Sequence, residues 1–159
     1  DSAKLTGKVV ALPARDDIDL TLIDSLNKRL VFLDTLCNEI DIKAKLVHMR
    51  AEDAGKSKKF RESFDVATAR AVASLPVLLE YCTPLVKKGG IFVGMKGPNA
   101  NEELALCKNA INVLGLSEPK IICETLTGEE ARTFIISKKI SQTPPKYPRK
   151  PSDISKQPL

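Results

Sequence analysis

Asp19-Leu20-Thr21-Leu22-Ile23-Asp24 is a short apolar run closed by a carboxylate, and it leads directly into Leu26, Leu30, Leu33, Leu36 and Ile40. The first run has the length and β-branched content of a strand. The second recurs at spacings of three and four, which sets one apolar stripe along a helix. A strand handing over to a helix within two residues is the repeating unit of an α/β fold.

Working outward, the same alternation continues. Ala44 to Met49 reads as a strand, and Phe64-Asp65-Val66-Ala67-Thr68-Ala69 as another. A helix then begins near Ser74, a possible cap, with Pro76 in its first turn and Leu75, Leu78, Leu79, Cys82, Leu85 and Val86 on one face. Gly89-Gly90 interrupts it, and Ile91 to Met95 reads as the next strand. Leu104, Cys107, Ile111 and Leu114 predict a helix that stops near Gly115. Lys120 to Leu126 and Arg132 to Lys138, joined through Gly128, predict an antiparallel hairpin at one edge. The expected architecture is a Rossmann-like, mostly parallel sheet with right-handed crossovers and helices on both faces. From Ser141 onward five prolines (Pro144, Pro145, Pro148, Pro151, Pro158) sit among Lys146, Arg149, Lys150 and Lys156. Residues 1–140 are therefore expected to form the domain, with 141–159 an extended basic tail packing on it.

The chain has 159 residues, enough for one domain with a real core. No apolar run reaches the roughly 20 residues of a bilayer span, and no signal peptide opens the sequence, so no membrane partner is expected. Cys37, Cys82, Cys107 and Cys123 are widely separated and lack partners at metal-ligand spacing. That excludes the usual structural zinc patterns and fits reduced thiols in a cytoplasmic protein. Twenty-five basic against 20 acidic residues, a net charge of +5, make a polyanionic partner plausible. Aromatics are only 4%, so stacking of bases on exposed rings is not expected to drive recognition.

Open parallel sheets bind ligands at the carboxyl ends of their strands. That rule selects Asp24, Ala51-Glu52, Arg70 and Lys96, one position or pair after each of four successive strands. A carboxylate in the place of Asp24 suits the two hydroxyls of a ribose, and Ala51-Glu52 offers a backbone N–H and a side chain to an adenine edge. Each of these residues also reads as a solvated loop charge when taken singly. His48, the only histidine, reads as structural. Lys56, Lys58, Lys59 and Arg61 read as a solvated face.

Thr21 to Arg29 (containing DSLNKR), Arg50-Ala51-Glu52-Asp53, Phe64-Asp65-Val66, Arg70-Ala71-Val72-Ala73, Lys96-Gly97 and Tyr147-Pro148-Arg149-Lys150 together closely resemble one family. It is the RsmG (also called GidB) family of bacterial 16S ribosomal RNA guanine-N7 methyltransferases, and the likeness runs through nearly the whole chain in order. The resemblance implies the class I methyltransferase fold and S-adenosylmethionine as cofactor. It implies that Ala51, Glu52 and Arg70 contact the cofactor, that Asp24 and Ser25 meet its ribose, and that Gly7 lies where the loop closes over the methionine end. It further implies that Lys96, Arg149, Lys150 and Lys156 hold RNA, with Lys96 and Arg149 positioning the reacting base. The implied partner is 16S ribosomal RNA within the small subunit; a monomer is expected separately, because no long apolar surface stripe demands a partner.

The chain departs from the family at two places. Leu5-Thr6-Gly7 resembles the end of a glycine-rich turn, with Thr6 where proline is usual, and Asp1 to Lys4 resembles the end of an earlier helix. The first strand, the glycines and an N-terminal helical region are thus absent from the sequence. Either they are deleted or a mobile loop belongs between Lys4 and Leu5; the second is expected, because a sheet without its central strand would expose apolar faces that helices should cover. In the tail, Ser152 and Ile154 stand where the family reads glycine and proline, while Lys156, Pro158 and Leu159 match.

The implied chemistry needs no acid–base residue. Guanine N7 carries an in-plane lone pair and no proton, so it can attack a sulfonium methyl directly, and catalysis rests on positioning. Reaching N7 in a stacked guanine requires an opened RNA loop or a displaced base. Two other classes remain open at this level: a nicotinamide-dependent oxidoreductase, which also places a carboxylate after a strand, and a non-catalytic RNA-binding module.

Overall fold

The computed structural model describes residues 18–70, 73–97, 99–124 and 132–159. Strand β1 (Leu20–Asp24) leads through a two-residue turn into helix α1 (Asn27–Glu39), and β2 (Ala44–His48) pairs with β1 in parallel. Then come α2 (Ala51–Lys56), β3 (Phe64–Arg70), α3 (Leu75–Cys82), a 3-10 turn over Thr83–Leu85 and β4 (Val86–Lys96). Helices α4 (Ala100–Ala105) and α5 (Lys108–Leu114) precede β5 (Lys120–Glu124) and β6 (Arg132–Lys138), and α6 (Pro151–Lys156) closes the chain.

The strands form the parallel pair β1-β2 and a four-stranded sheet in the order β3-β4-β6-β5. In the larger sheet β3 and β4 run parallel, while β6 is antiparallel to both β4 and β5. The α/β architecture and the terminal antiparallel hairpin are as the sequence predicts. Among the described residues no strand joins β1 to β3.

Alternation along each strand divides the four-stranded sheet into two faces. Ala67 and Ala69 of β3, Phe92 of β4 and Ile135 of β6 are buried on one side. There α3 packs on β3 and β4 and also touches α2, α4, α5 and α6. Its Leu75, Leu78, Leu79 and Cys82 are all at most 1% exposed. The other face carries Val66 and Ile91, paired in register, and Ile122, and all three are exposed. Helices on both faces were expected, but those packed on β3 and β4 among the described residues lie on the Ala67 side.

Several element boundaries differ from the sequence reading, each for a local reason. Val86 sits at the apolar spacing of α3 but begins β4, because Pro84 in the 3-10 turn cannot extend the helical hydrogen bonding. Gly89-Gly90 does not end an element. It lies in an irregular stretch of β4 where Asp65 alone stands opposite Lys87–Gly90. Gly89 has φ of +88°, and a Cβ on Gly90 would lie 2.6 Å from the Asp65 carbonyl oxygen. The single helix expected to end near Gly115 is two, α4 and α5, parted at Leu106-Cys107. Gly115 does end α5, in the left-handed conformation. Of the stripe on α1 Leu30 is buried, Leu33 and Leu36 are half-buried, and Leu26 and Ile40 at its two ends are exposed; the other buried residue of the helix is Cys37, outside the stripe.

Candidate functional site

The parallel register of β1 and β2 pairs Asp24 with His48 and continues with the Met49 N–H donating to the Asp24 carbonyl at 3.1 Å. Two connections therefore leave the same ends of adjacent strands side by side: Ser25-Leu26 from β1, and Met49-Arg50-Ala51 from β2. Asp24 is 2% exposed, and its Oδ1 accepts the Leu26 N–H at 2.8 Å. Arg29 Nη1 stands 3.4 Å from Oδ2. The carboxylate is thus oriented by its own turn. Nε2 of His48 donates to the Ser25 carbonyl at 2.9 Å, so the lone histidine ties the two connections together.

Ala51 opens α2 and is fully buried, and Glu52 beside it is 5% exposed. The nearest cation to Glu52 is Arg50, at 3.7 Å. The Tyr81 phenol on α3 lies in the same field. Burial pushes its pKa up, the charges of Glu52 and Glu80 push it further, and Arg50 opposes them. Asp24, Ser25, Ala51 and Glu52 are brought together at the β1–β2 ends.

Arg70 is the last residue of β3 and pairs in register with Met95, one residue before Lys96 at the end of β4. Arg70 and Lys96 therefore share the carboxyl rim of their own parallel pair. Lys96 is not a solvated cation: its side chain is 12% exposed. Its ammonium donates to the Ala73 carbonyl at 2.9 Å and pairs with Glu103 at 2.8 Å. The same Glu103 oxygen accepts the Leu75 N–H that opens α3. Lys96 thus braces the junction of β4, α3 and α4. Gly7 lies outside the described residues.

The basic tail divides into two kinds of cation. Lys150 and Lys156, at the start and end of α6, are exposed. Arg149 turns inward to Glu80 of α3, whose side chain is fully buried. Glu80 accepts the Arg149 backbone N–H at 2.8 Å, Nε at 2.9 Å and Nη2 at 2.7 Å. This raises the guanidinium pKa still further above its ordinary value. The chain before it crosses Tyr147-Pro148 as a cis peptide, with both residues buried.

Four participants escaped the sequence reading. Helix α2 is six residues long and carries little periodic signal. Arg61, read as part of a solvated face, donates to four backbone carbonyls, those of Gly55, Tyr147, Thr143 and Pro144. Glu80 occupies an apolar helix face, and only Arg149, far along the chain, explains it. Lys139 is fully buried, with its ammonium on Glu62 and on the carbonyls of Thr83 and Val86. Among the described residues no group of three or more His, Cys, Asp or Glu could hold a metal ion. No helix there is long and apolar enough to cross a membrane.

Residues 7–131 match the family model described as GidB, rRNA small subunit methyltransferase G. Over 145 residues the chain is 50% identical to the ribosomal RNA small subunit methyltransferase G of Lactobacillus johnsonii, covering 90% of this chain and 61% of that protein. The chain thus spans about 61% of the length of this relative. In fold it is similar to a predicted O-methyltransferase of Agrobacterium tumefaciens, with TM-score 0.64 at 15% identity over 88% of this chain and 73% of that one. A methyltransferase of Pyrococcus furiosus gives TM-score 0.61 at 18% identity, covering 83% and 69%.

Proposed function

Because the chain belongs to the GidB family of rRNA small subunit methyltransferases G, we propose that it takes part in transferring a methyl group from S-adenosylmethionine to N7 of a guanine in 16S ribosomal RNA. The observation that carries this reading is the β1–β2 register, which sets the oriented, nearly buried Asp24 carboxylate beside Ala51 and Glu52.

The residues present suit an adenosyl group. Asp24 is a carboxylate acceptor held by the Leu26 N–H, as a ribose diol requires. The first turn of α2 has no side-chain cap, so no capping oxygen competes for its backbone N–H groups, which we assign to an adenine edge. Glu52 supplies a second carboxylate of low exposure next to them. Arg70, at the end of β3, is the residue we assign as a further contact to the same ligand. When bound, S-adenosylmethionine supplies an electrophilic methyl on sulfonium. The protein's share is to fix that methyl in line with N7, a contribution that reaches several kcal/mol when the geometry is right.

For RNA, the exposed Lys150 and Lys156 are the cations we assign to phosphates. Such contacts give salt-dependent affinity that is blind to sequence. Lys96 and Arg149 act in this reading as anchors that hold the rim and the tail, because Glu103 and Glu80 already engage them. We read the site as belonging to a cytoplasmic, monomeric enzyme.

Calorimetry of the full-length protein should show binding of S-adenosylmethionine and none of NAD. Arg70→Ala should weaken donor affinity about tenfold, the scale of one charge-assisted contact. Purified small subunits with labelled donor should take up label at one guanine, and naked tRNA should take up none. An Arg70→Ala protein that binds the donor as tightly as wild type would remove Arg70 from the site, and labelling of tRNA would overturn the substrate.

A further inference from the structure

We propose that Arg61 is a positioning residue for the methyl-donor site, clamping the far end of α2 and the C-terminal segment into one arrangement so that Ala51 and Glu52 stand at the β1–β2 rim. The inference rests on the donor reading above.

Helix α2 is too short to persist by itself, since isolated helices need roughly a dozen residues or more to be stable. Its position must therefore come from what grips it. Along one side Ala51 and Ala54 are buried without exposure, which fixes the helix laterally. At its far end Arg61 Nη1 donates to the Gly55 carbonyl at 2.8 Å and to the Tyr147 carbonyl at 2.7 Å. Nη2 donates to the Thr143 carbonyl at 2.7 Å and to the Pro144 carbonyl at 3.2 Å. One planar guanidinium thus spans from the last turn of α2 to the tail, a fork geometry that an ammonium cannot reproduce on both sides. Gly55 is the point of closest approach. A Cβ there would lie 3.0 Å from Pro148 Cγ, 3.1 Å from its Cδ and 3.2 Å from Pro84 Cβ.

Because α2 rises only about 9 Å from end to end, displacement at Gly55 is carried directly to Ala51 and Glu52. The tail is tied to α3 as well, through Arg149 and Glu80, one residue from the Tyr81 phenol that feels Glu52. Arg61 is the one group among those described here that hydrogen-bonds to both α2 and the tail.

The test uses the full-length protein and compares wild type with Arg61→Lys, Arg61→Ala and Leu114→Ala. Leu114 is a fully buried core residue on α5 and serves as a control for loss of stability alone. Each is measured for melting temperature, for affinity toward S-adenosylmethionine, and for donor KM and kcat on small subunits. The expected result is a donor KM raised about tenfold in Arg61→Ala, with kcat within about twofold, an intermediate rise in Arg61→Lys, and no rise in Leu114→Ala. If Arg61→Ala does not fold, Arg61→Lys carries the comparison. Wild type that binds the donor, with an Arg61→Lys or Arg61→Ala protein of unchanged KM, overturns the positioning role and leaves the donor reading standing. An equal KM rise in Leu114→Ala also overturns it, because the effect would then follow stability. Wild type that fails to bind S-adenosylmethionine overturns the donor reading itself, and this inference with it.

Discussion

Replacing Arg149 by alanine should act first on stability. Glu80 is fully buried, and three of the four hydrogen bonds it receives come from the Arg149 side chain. Alanine keeps the backbone N–H at 2.8 Å and removes the rest, leaving a carboxylate in an apolar helix face with no countercharge. Breaking one side of a buried ion pair costs about 3–5 kcal/mol. In a chain of this size each kcal/mol moves the melting temperature by about 2–4 °C, so a drop of roughly 6–20 °C is expected. Pairing raises the guanidinium pKa above its already high ordinary value, so the native state holds that proton more tightly than the unfolded chain. The stability it contributes is complete below that ordinary value and is lost only above it. Wild type therefore keeps the pair over the whole working range. The double variant Glu80→Leu with Arg149→Met, which removes both charges and keeps the volume, should recover most of the loss. Thermal unfolding followed by circular dichroism at pH 7.5 measures all of this. An Arg149→Ala protein that melts within about 2 °C of wild type yet binds RNA poorly would show the opposite: that Arg149 serves the nucleic acid and Glu80 does not depend on it.

The buried Lys139 has its pKa lowered by burial, with its bond to Glu62 opposing, so the unfolded chain binds more protons in the window below 10.5. Wild-type stability should therefore rise with pH through that window relative to Lys139→Met, and a urea-unfolding series in which the two run parallel would contradict this. Burial pushes the thiols of Cys82 and Cys107 up to about 12 and raises that of Cys37, whereas Cys123 is exposed. A disulfide reagent at pH 8 should modify Cys123 quickly and the other three only on unfolding, and the stability that the neutral buried thiols contribute should fade as pH climbs above about 9.

The elements that the sequence makes legible are those that repeat a period within themselves. Leu20–Asp24, Ala44–His48 and Phe64–Arg70 are short apolar runs with a helix or turn signal after each, and all three are parallel strands. Arg132–Lys138 alternates cleanly as β6, because only one face of it is buried. Where the reading slips, distant contacts decide. Leu106-Cys107 parts α4 from α5 although the apolar spacing runs through it, because Cys107 is buried while Leu106 points outward at 72% exposure. Val86 keeps helical spacing yet joins β4, because β3 offers it a ladder partner in Phe64.

The site follows the same division. The placement of Asp24, Ala51, Glu52, Arg70 and Lys96 at or just after strand ends was legible because position in the chain is enough to find those ends, where α/β sheets hold ligands. What the sequence could not reveal is which cations are free. Lys96, Arg149, Lys150 and Lys156 look alike as charged residues near expected ends, yet Glu103 and Glu80 engage the first two while the last two stay exposed. The difference lies in Glu80, an acid at a position whose neighbours Leu78, Leu79 and Cys82 are all core, 69 residues from the arginine that pairs with it. An acidic residue inside an apolar helix stripe is therefore the sign to look for: it requires a buried cation, and in a proline-rich tail full of lysines and arginines one of those cations must be spent on it. By the same logic Arg61 could not remain in a solvated face once the tail folded back, since the carbonyls of Thr143 and Tyr147 need a donor with several N–H groups, and it also reaches the Pro144 carbonyl, which already accepts the Tyr147 N–H.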